Sequence, residues 1–140
     1  LDQTGTFDTV RNLADSLLAQ VGGADWSDVR QFVYGGDRGR IGMLALAVAK
    51  AADQGDGMAE AILCEAGAEL ALLAEALIAR VGDRPVGFIG GVLALHPVIV
   101  AEIRRRLVGR DIRLLHADAS LAAARLQAIR PNGWMDILKA

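Results

Sequence analysis

The stretch Arg84-Pro-Val-Gly-Phe-Ile-Gly-Gly-Val-Leu-Ala-Leu-His-Pro-Val98 constrains the fold more than any other, because an otherwise helical chain changes character there. Val86, Gly87, Phe88 and Ile89 form a compact apolar run of the kind found in a buried strand, beginning at Pro85. Gly90-Gly91 then ends the strand with two residues that leave the main chain bare. His96-Pro97 marks the start of a new helix, where proline's missing N–H has no partner to lose. Strand, glycine pair and helix start together form a shape that lets main-chain N–H groups approach an anionic or ribose-bearing ligand. The same residues also suit a plain tight turn, since they match neither G-x-G-x-x-G nor GxxxxGK[ST].

Downstream, Pro97 to Val108 reads as a helix with Val98, Val100, Ile103 and Leu107 directed inward, and Glu102 and Arg104-Arg105-Arg106 directed outward. Three successive arginines fan around a helix, so a solvated surface is their default. Gly109 ends this helix, and Asp111 to His116 alternates as a second strand. Two strands joined by a helix make a βαβ unit, expected to be a right-handed parallel crossover. Two strands are too few for a sheet, so further strands are expected from elsewhere. The first residue is not methionine, and a longer parent chain is expected.

Upstream, the reading is all helix. Thr6 or Asp8 is expected to cap a helix over Phe7 to Val21, with Val10, Leu13, Leu17, Leu18 and Val21 inward. A short helix follows from Trp26 to Tyr34, with Asp25 or Ser27 at its start and Val29, Phe32 and Val33 inward. Ile41 to Ala52 is expected to be a helix buried over most of its circumference through Leu44, Leu46 and Val48. Asp53-Gln-Gly-Asp56 is a turn with Asp56 at an N-cap position, leading into the longest helix, Gly57 to Val81. Beyond the second strand, Asp118 or Ser120 is expected to cap a helix over Leu121 to Ile129, broken by Pro131-Asn132-Gly133 and followed by a tail from Trp134 to Ala140. The divisions expected are 1–82 helical, 83–130 strand-Gly-Gly-Val-helix-strand-helix, and 131–140 tail.

Composition limits the partners. In 140 residues, 53% are hydrophobic and only 4% aromatic, so the core is made of Ala, Leu, Val and Ile in a single-domain length. A net charge of −2 gives no basic footprint for nucleic acid. Cys64, the one cysteine, excludes an internal disulfide and reads as a small core residue; it fits a reducing cytoplasm. Glu60, Glu65, Glu69, Glu75 and Arg80 interrupt the long apolar helix, so no membrane span is read there. Glu65 and Glu69 face one way, but no histidine or third acid joins them, and they read as an exposed stripe.

Val33-Tyr34-Gly35, the helix ending in Asp53-Gln-Gly-Asp56, the Ala59-to-Val81 helix, Pro85-Val86, Gly90-Gly91-Val92, and Asp118-Ala119 before an alanine-rich helix follow one order. In that order and spacing, from roughly Phe7 to Ile129, the chain resembles the C-terminal half of the BadF/BadG/BcrA/BcrD-type ATPase family. Its N-acetylglucosamine and glucosamine kinase branch is the nearest. The resemblance implies an α/β chain forming the C-terminal, ribonuclease-H-like half of an actin-like ATPase, with ATP and magnesium as cofactors. It further implies an amino-sugar substrate, a cytoplasmic homodimer, and Gly90, Gly91 and Val92 as the cofactor-binding positions. The family's aspartate-and-glycine phosphate loop, sugar-contacting segment, catalytic aspartate and second glycine loop have no counterpart here, so no catalytic or metal-ligating residue is assigned. Ala122-Ala123 stands where the family often has Gly-Ala, and His96 is taken as a helix-start residue first and a ligand contact second. The alternatives are an ATP-driven reductase or dehydratase activator of the same family, which needs cluster cysteines from each subunit, and a non-enzymatic helical interaction module.

Overall fold

A computed structural model describes residues 5–116 and Leu121. The expected last helix from Leu121 to Ile129, its caps Asp118 and Ser120, Ala122-Ala123 and the tail lie outside the described residues, Leu121 apart. The elements are α1 (Arg11–Val21), α2 (Trp26–Tyr34), α3 (Arg38–Gly42), α4 (Leu44–Asp53), α5 (Gly57–Val81), β1 (Val86–Ile89), α6 (Pro97–Arg106) and β2 (Ile112–Leu115), with 3-10 turns at Thr6–Val10 and Gly91–Ala94. The chain is thus helix-rich with a two-stranded sheet. β1 and β2 pair in parallel, with Val86 opposite Ile112 and Ile89 opposite Leu115, as the crossover geometry requires.

The helix boundaries follow from their caps. α2 starts at a reciprocal capping box between Asp25 and Asp28, in which Asp28 Oδ2 accepts from the Asp25 N–H at 3.1 Å. Asp56 does more than cap α5. Its Oδ1 accepts from the Met58 and Ala59 N–H groups at 3.1 Å, and its Oδ2 accepts from the Leu13 N–H of α1 at 2.9 Å. The carboxylate is buried, so one side chain satisfies donors on two helices and fixes α1 against the start of α5. The Ala59 N–H bond holds this carboxyl below its ordinary value against the upward push of burial, helped by Leu13 and Met58.

Four expectations fail at the helical end. The first helix begins at Arg11 rather than Phe7, preceded by a 3-10 turn, and neither Thr6 nor Asp8 caps it. Thr9 Oγ1 donates to the Thr6 carbonyl at 2.7 Å, and Asp8 pairs with Arg11. The expected Ile41-to-Ala52 helix is two helices meeting at Met43. Within it Leu46 is 50% exposed, while Ala47, Ala49 and Ala51 are buried. Val33 is exposed as well, leaving Phe32 as the buried anchor of α2, with the Arg40 guanidinium 4.9 Å from its ring centroid. On α4 the pattern is inverted because small residues turn inward where the helices pack, and Leu46 is displaced to the outside.

Small residues set the position of α6 too. α5 turns Ala59, Leu63, Gly67, Ala71 and Ala74 inward. A Cβ on Gly67 would lie 2.6 Å from the Ile99 carbonyl oxygen and 2.9 Å from Glu102 Cβ, so only glycine admits α6 at this distance. Ile99 and Ile103 of α6 are fully buried between α5 and the Val86–Phe88 face of β1, in one core with Leu63, Ala71, Ala74 and Leu107.

Glu102, expected to point outward, is buried. Its Oε2 accepts from Arg105 Nε and its Oε1 from Arg105 Nη2, both at 2.6 Å, and Oε1 also accepts from Arg106 Nε at 2.7 Å. The Arg105 hydrogen bonds, followed by that of Arg106, bring its carboxyl down to about 2 from an ordinary 4.5. The inward positions of α6 are accordingly Ile99, Glu102 and Ile103 rather than the expected Val98 and Val100, which are half-buried.

The strand expectation needs one correction. β1 is buried on one face only: Val86 and Phe88 face the core, whereas Ile89 is 52% exposed. All the described helices that pack on the sheet do so from the core side, and its other face carries Gly87, Ile89, Arg113 and Leu115.

Candidate functional site

The carboxyl ends of β1 and β2 lie side by side because Ile89 pairs with Leu115. Beyond them the chain leaves β1 through Gly90, at φ +136° and ψ 160°, and turns at once into the 3-10 turn of Gly91–Ala94. A residue with a side chain rarely adopts that φ, so Gly90 is required by the bend itself. Gly91 has no such backbone need. A Cβ built at either glycine meets nothing within 4 Å, so the main chain at the bend is uncovered.

This bend forms one wall of an open depression of about 650 Å³. Ile89, Gly90, Gly91, Leu93 and Ala94 line it on the β1 side, and Leu114, Leu115 and His116 on the β2 side. Crevices outside the carboxyl ends of parallel strands are the usual ligand positions in open α/β sheets. Here the wall is apolar apart from His116 and the bare glycine main chain, and carries no lysine, arginine, aspartate or glutamate. Such a surface suits a flat, weakly polar group such as a nucleobase, with ribose near the glycine main chain. It does not suit a triphosphate or a magnesium ion, which need cations and carboxylates. Among the described residues no group of three or more His, Cys, Asp or Glu side chains is placed to hold a metal ion.

Of the three positions singled out in the sequence, the structure brings Gly90 and Gly91 to the depression but not Val92, which is 42% exposed and outside its lining. His96 serves as the helix start. Its Nδ1 accepts from the Val98 N–H at 3.3 Å, which leaves the ring proton on Nε2, 3.3 Å from Asp53 Oδ1. It is not part of the lining, and it ties the glycine loop to the turn Asp53-Gln-Gly-Asp56. Leu93, Leu114, Leu115 and His116 were not singled out from the sequence. The signal available was the register: a parallel crossover necessarily sets the end of the second strand beside the glycine pair.

Other sequence candidates stay apart from this edge. Cys64 is half-buried on α5, Glu65 and Glu69 are exposed, and Arg104 has no ion pair among the described residues. No described helix is long and apolar enough to cross a membrane. No family model, curated protein or solved structure matches the chain.

Proposed function

We propose that this chain is the nucleotide-binding portion of an ATP-dependent kinase acting on an amino sugar, N-acetylglucosamine or glucosamine, and forms the C-terminal half of an actin-like fold. The uncovered Gly90-Gly91 bend at the carboxyl edge of a parallel strand carries the reading, since it offers an apolar wall for the adenine ring and main-chain atoms for ribose. In this reading Leu93, Leu114 and Leu115 exclude water from the base. Gly91 lets the nucleotide approach the backbone, and Gly90 holds the bend. The order of sequence segments from roughly Phe7 to Ile129 that carries the resemblance, together with Asp53-Gln-Gly-Asp56 meeting the glycine loop through His96, adds support.

ATP supplies the phosphoryl group to be transferred, and transfer of this kind also needs an aspartate to orient the acceptor hydroxyl and magnesium across the phosphates. The lining of the depression holds no aspartate, and in this reading its part is to bind and orient the nucleoside end. The test is ADP formation by the intact protein with ATP and magnesium, with glucosamine or N-acetylglucosamine present or omitted. Sugar-dependent ADP formation is expected. ADP formation that neither sugar stimulates would overturn the amino-sugar assignment.

A further inference from the structure

We infer that the outward face of α5 is a contact between two copies of this chain, paired antiparallel about a two-fold axis passing between Leu72 and Leu73. The inference is independent of the nucleotide reading and rests on the pattern along one helix. The inner side of α5 is occupied by α4 and α6 through Ala59, Leu63, Gly67, Ala71 and Ala74. On the opposite side Glu65, Glu69, Leu72, Ala76 and Arg80 follow one another in steps of three or four residues, and all are exposed. Leu72 and Leu73 are 55% and 67% exposed and neither packs against the buried core, so they form an apolar centre on this face.

The charge along this stripe changes sign. Glu65 and Glu69 lie before the leucines and Arg80 lies after them, and none of the three has an ion pair among the described residues. A two-fold axis makes every contact reciprocal, so a pairing that sets Leu72 against the partner's Leu73 fixes all the others. Glu65 precedes Leu72 by the same interval at which Arg80 follows Leu73, so Glu65 then meets the partner's Arg80, and Arg80 meets the partner's Glu65. Glu69 falls opposite the partner's Ala76, where no like charge opposes it. A parallel arrangement would instead place glutamate against glutamate and arginine against arginine. The leucines supply the affinity and the charges select the direction.

The test is the association of the intact protein, measured by sedimentation velocity over a range of concentrations. A reversible dimer is expected. Leu73→Glu should raise its dissociation constant more than about tenfold, by placing charge in the apolar centre. Glu65→Arg and Arg80→Glu should each raise it by about three- to tenfold, as two exposed pairs turn repulsive. The double variant carrying both changes should return close to the parent value, because the pairs are re-formed with their signs exchanged. All three substituted positions are exposed, so an unchanged far-UV circular dichroism spectrum certifies each fold. A protein that stays monomeric throughout, as it would if this face were reserved for a different protein, overturns the inference. So does a dimer indifferent to Leu73→Glu, or a double variant no tighter than the single ones.

Discussion

Adding one methyl group at Gly67 separates the packing account of this fold from a propensity account. In an exposed helix interior, Gly→Ala stabilises by about 1 kcal/mol, because alanine restricts the unfolded chain and glycine does not. At Gly67 the new Cβ would lie 2.6 Å from the Ile99 carbonyl oxygen and 3.2 Å from Ile99 Cα, both main-chain atoms of α6 that cannot rotate away. Relief requires α6 to move, and with it Ile99 and Ile103, the two largest fully buried side chains. Overpacking of this kind costs about 1–3 kcal/mol, and a backbone obstacle belongs in the upper part of that range. After the propensity gain, Gly67→Ala should lose about 1–2 kcal/mol. At about 3–5 °C per kcal/mol for a chain of this size, Tm should fall by roughly 3–10 °C. Gly57→Ala is the matched control: it sits at the start of the same helix with nothing within 4 Å of the added carbon, and should gain about 0.5 kcal/mol. Thermal unfolding followed by far-UV circular dichroism reads both. If the two substitutions shift Tm in the same upward direction, α5 and α6 are not in contact at Gly67 and the core described here is wrong.

Asp56→Ala should lower Tm more than Asp37→Ala, although both residues cap helices. Asp37 is exposed and accepts from one N–H, whereas removing Asp56 leaves the buried Leu13 N–H without a partner as well; equal shifts in thermal unfolding would contradict the link between α1 and α5. Glu102 has a folded value near 2 against an ordinary 4.5, so its ion pairs contribute stability that is fully present above about 4.5 and is lost as pH falls towards 2. Denaturant unfolding across that window should show the loss in the parent protein and a shallower loss in Glu102→Gln, and an unchanged pH slope would contradict the pairing of buried Glu102 with the two exposed arginines. His96→Asn keeps an N-cap acceptor and should preserve most of the Tm that His96→Ala loses, since Val98 N–H needs only an acceptor.

Much of this architecture is legible in the residues. The bounds of α5 follow from Asp56 at one end and Gly82, at φ +84°, at the other. The parallel pairing of β1 and β2 follows from the helix between them, which carries the chain back along the sheet before the second strand begins. Burial is less legible, for two physical reasons. First, alanine and glycine mark the close seams, so a large apolar residue such as Leu46 points away from the centre it would otherwise define. Second, Glu102 sits inside because two arginines within one turn neutralise it. In the sequence the run Glu102-Ile-Arg-Arg-Arg106 reads as a solvated face, and only its three- and four-residue spacings disclose the triad. For the candidate site, the glycine bend was legible because only glycine tolerates the Gly90 backbone. Its opposite wall was not, because Leu114, Leu115 and His116 acquire their meaning from register rather than from any motif.

The most direct measurement is a calorimetric titration of adenosine and of ATP into the intact protein and into its Gly91→Val variant. A Cβ at Gly91 meets nothing within 4 Å and the position needs no positive φ, so the variant should keep most of its Tm and obstruct chiefly what approaches the bend. The account predicts that both ligands bind the parent protein and that Gly91→Val weakens both at least about tenfold. No binding to the parent, or an affinity that Gly91→Val leaves unchanged, would contradict it.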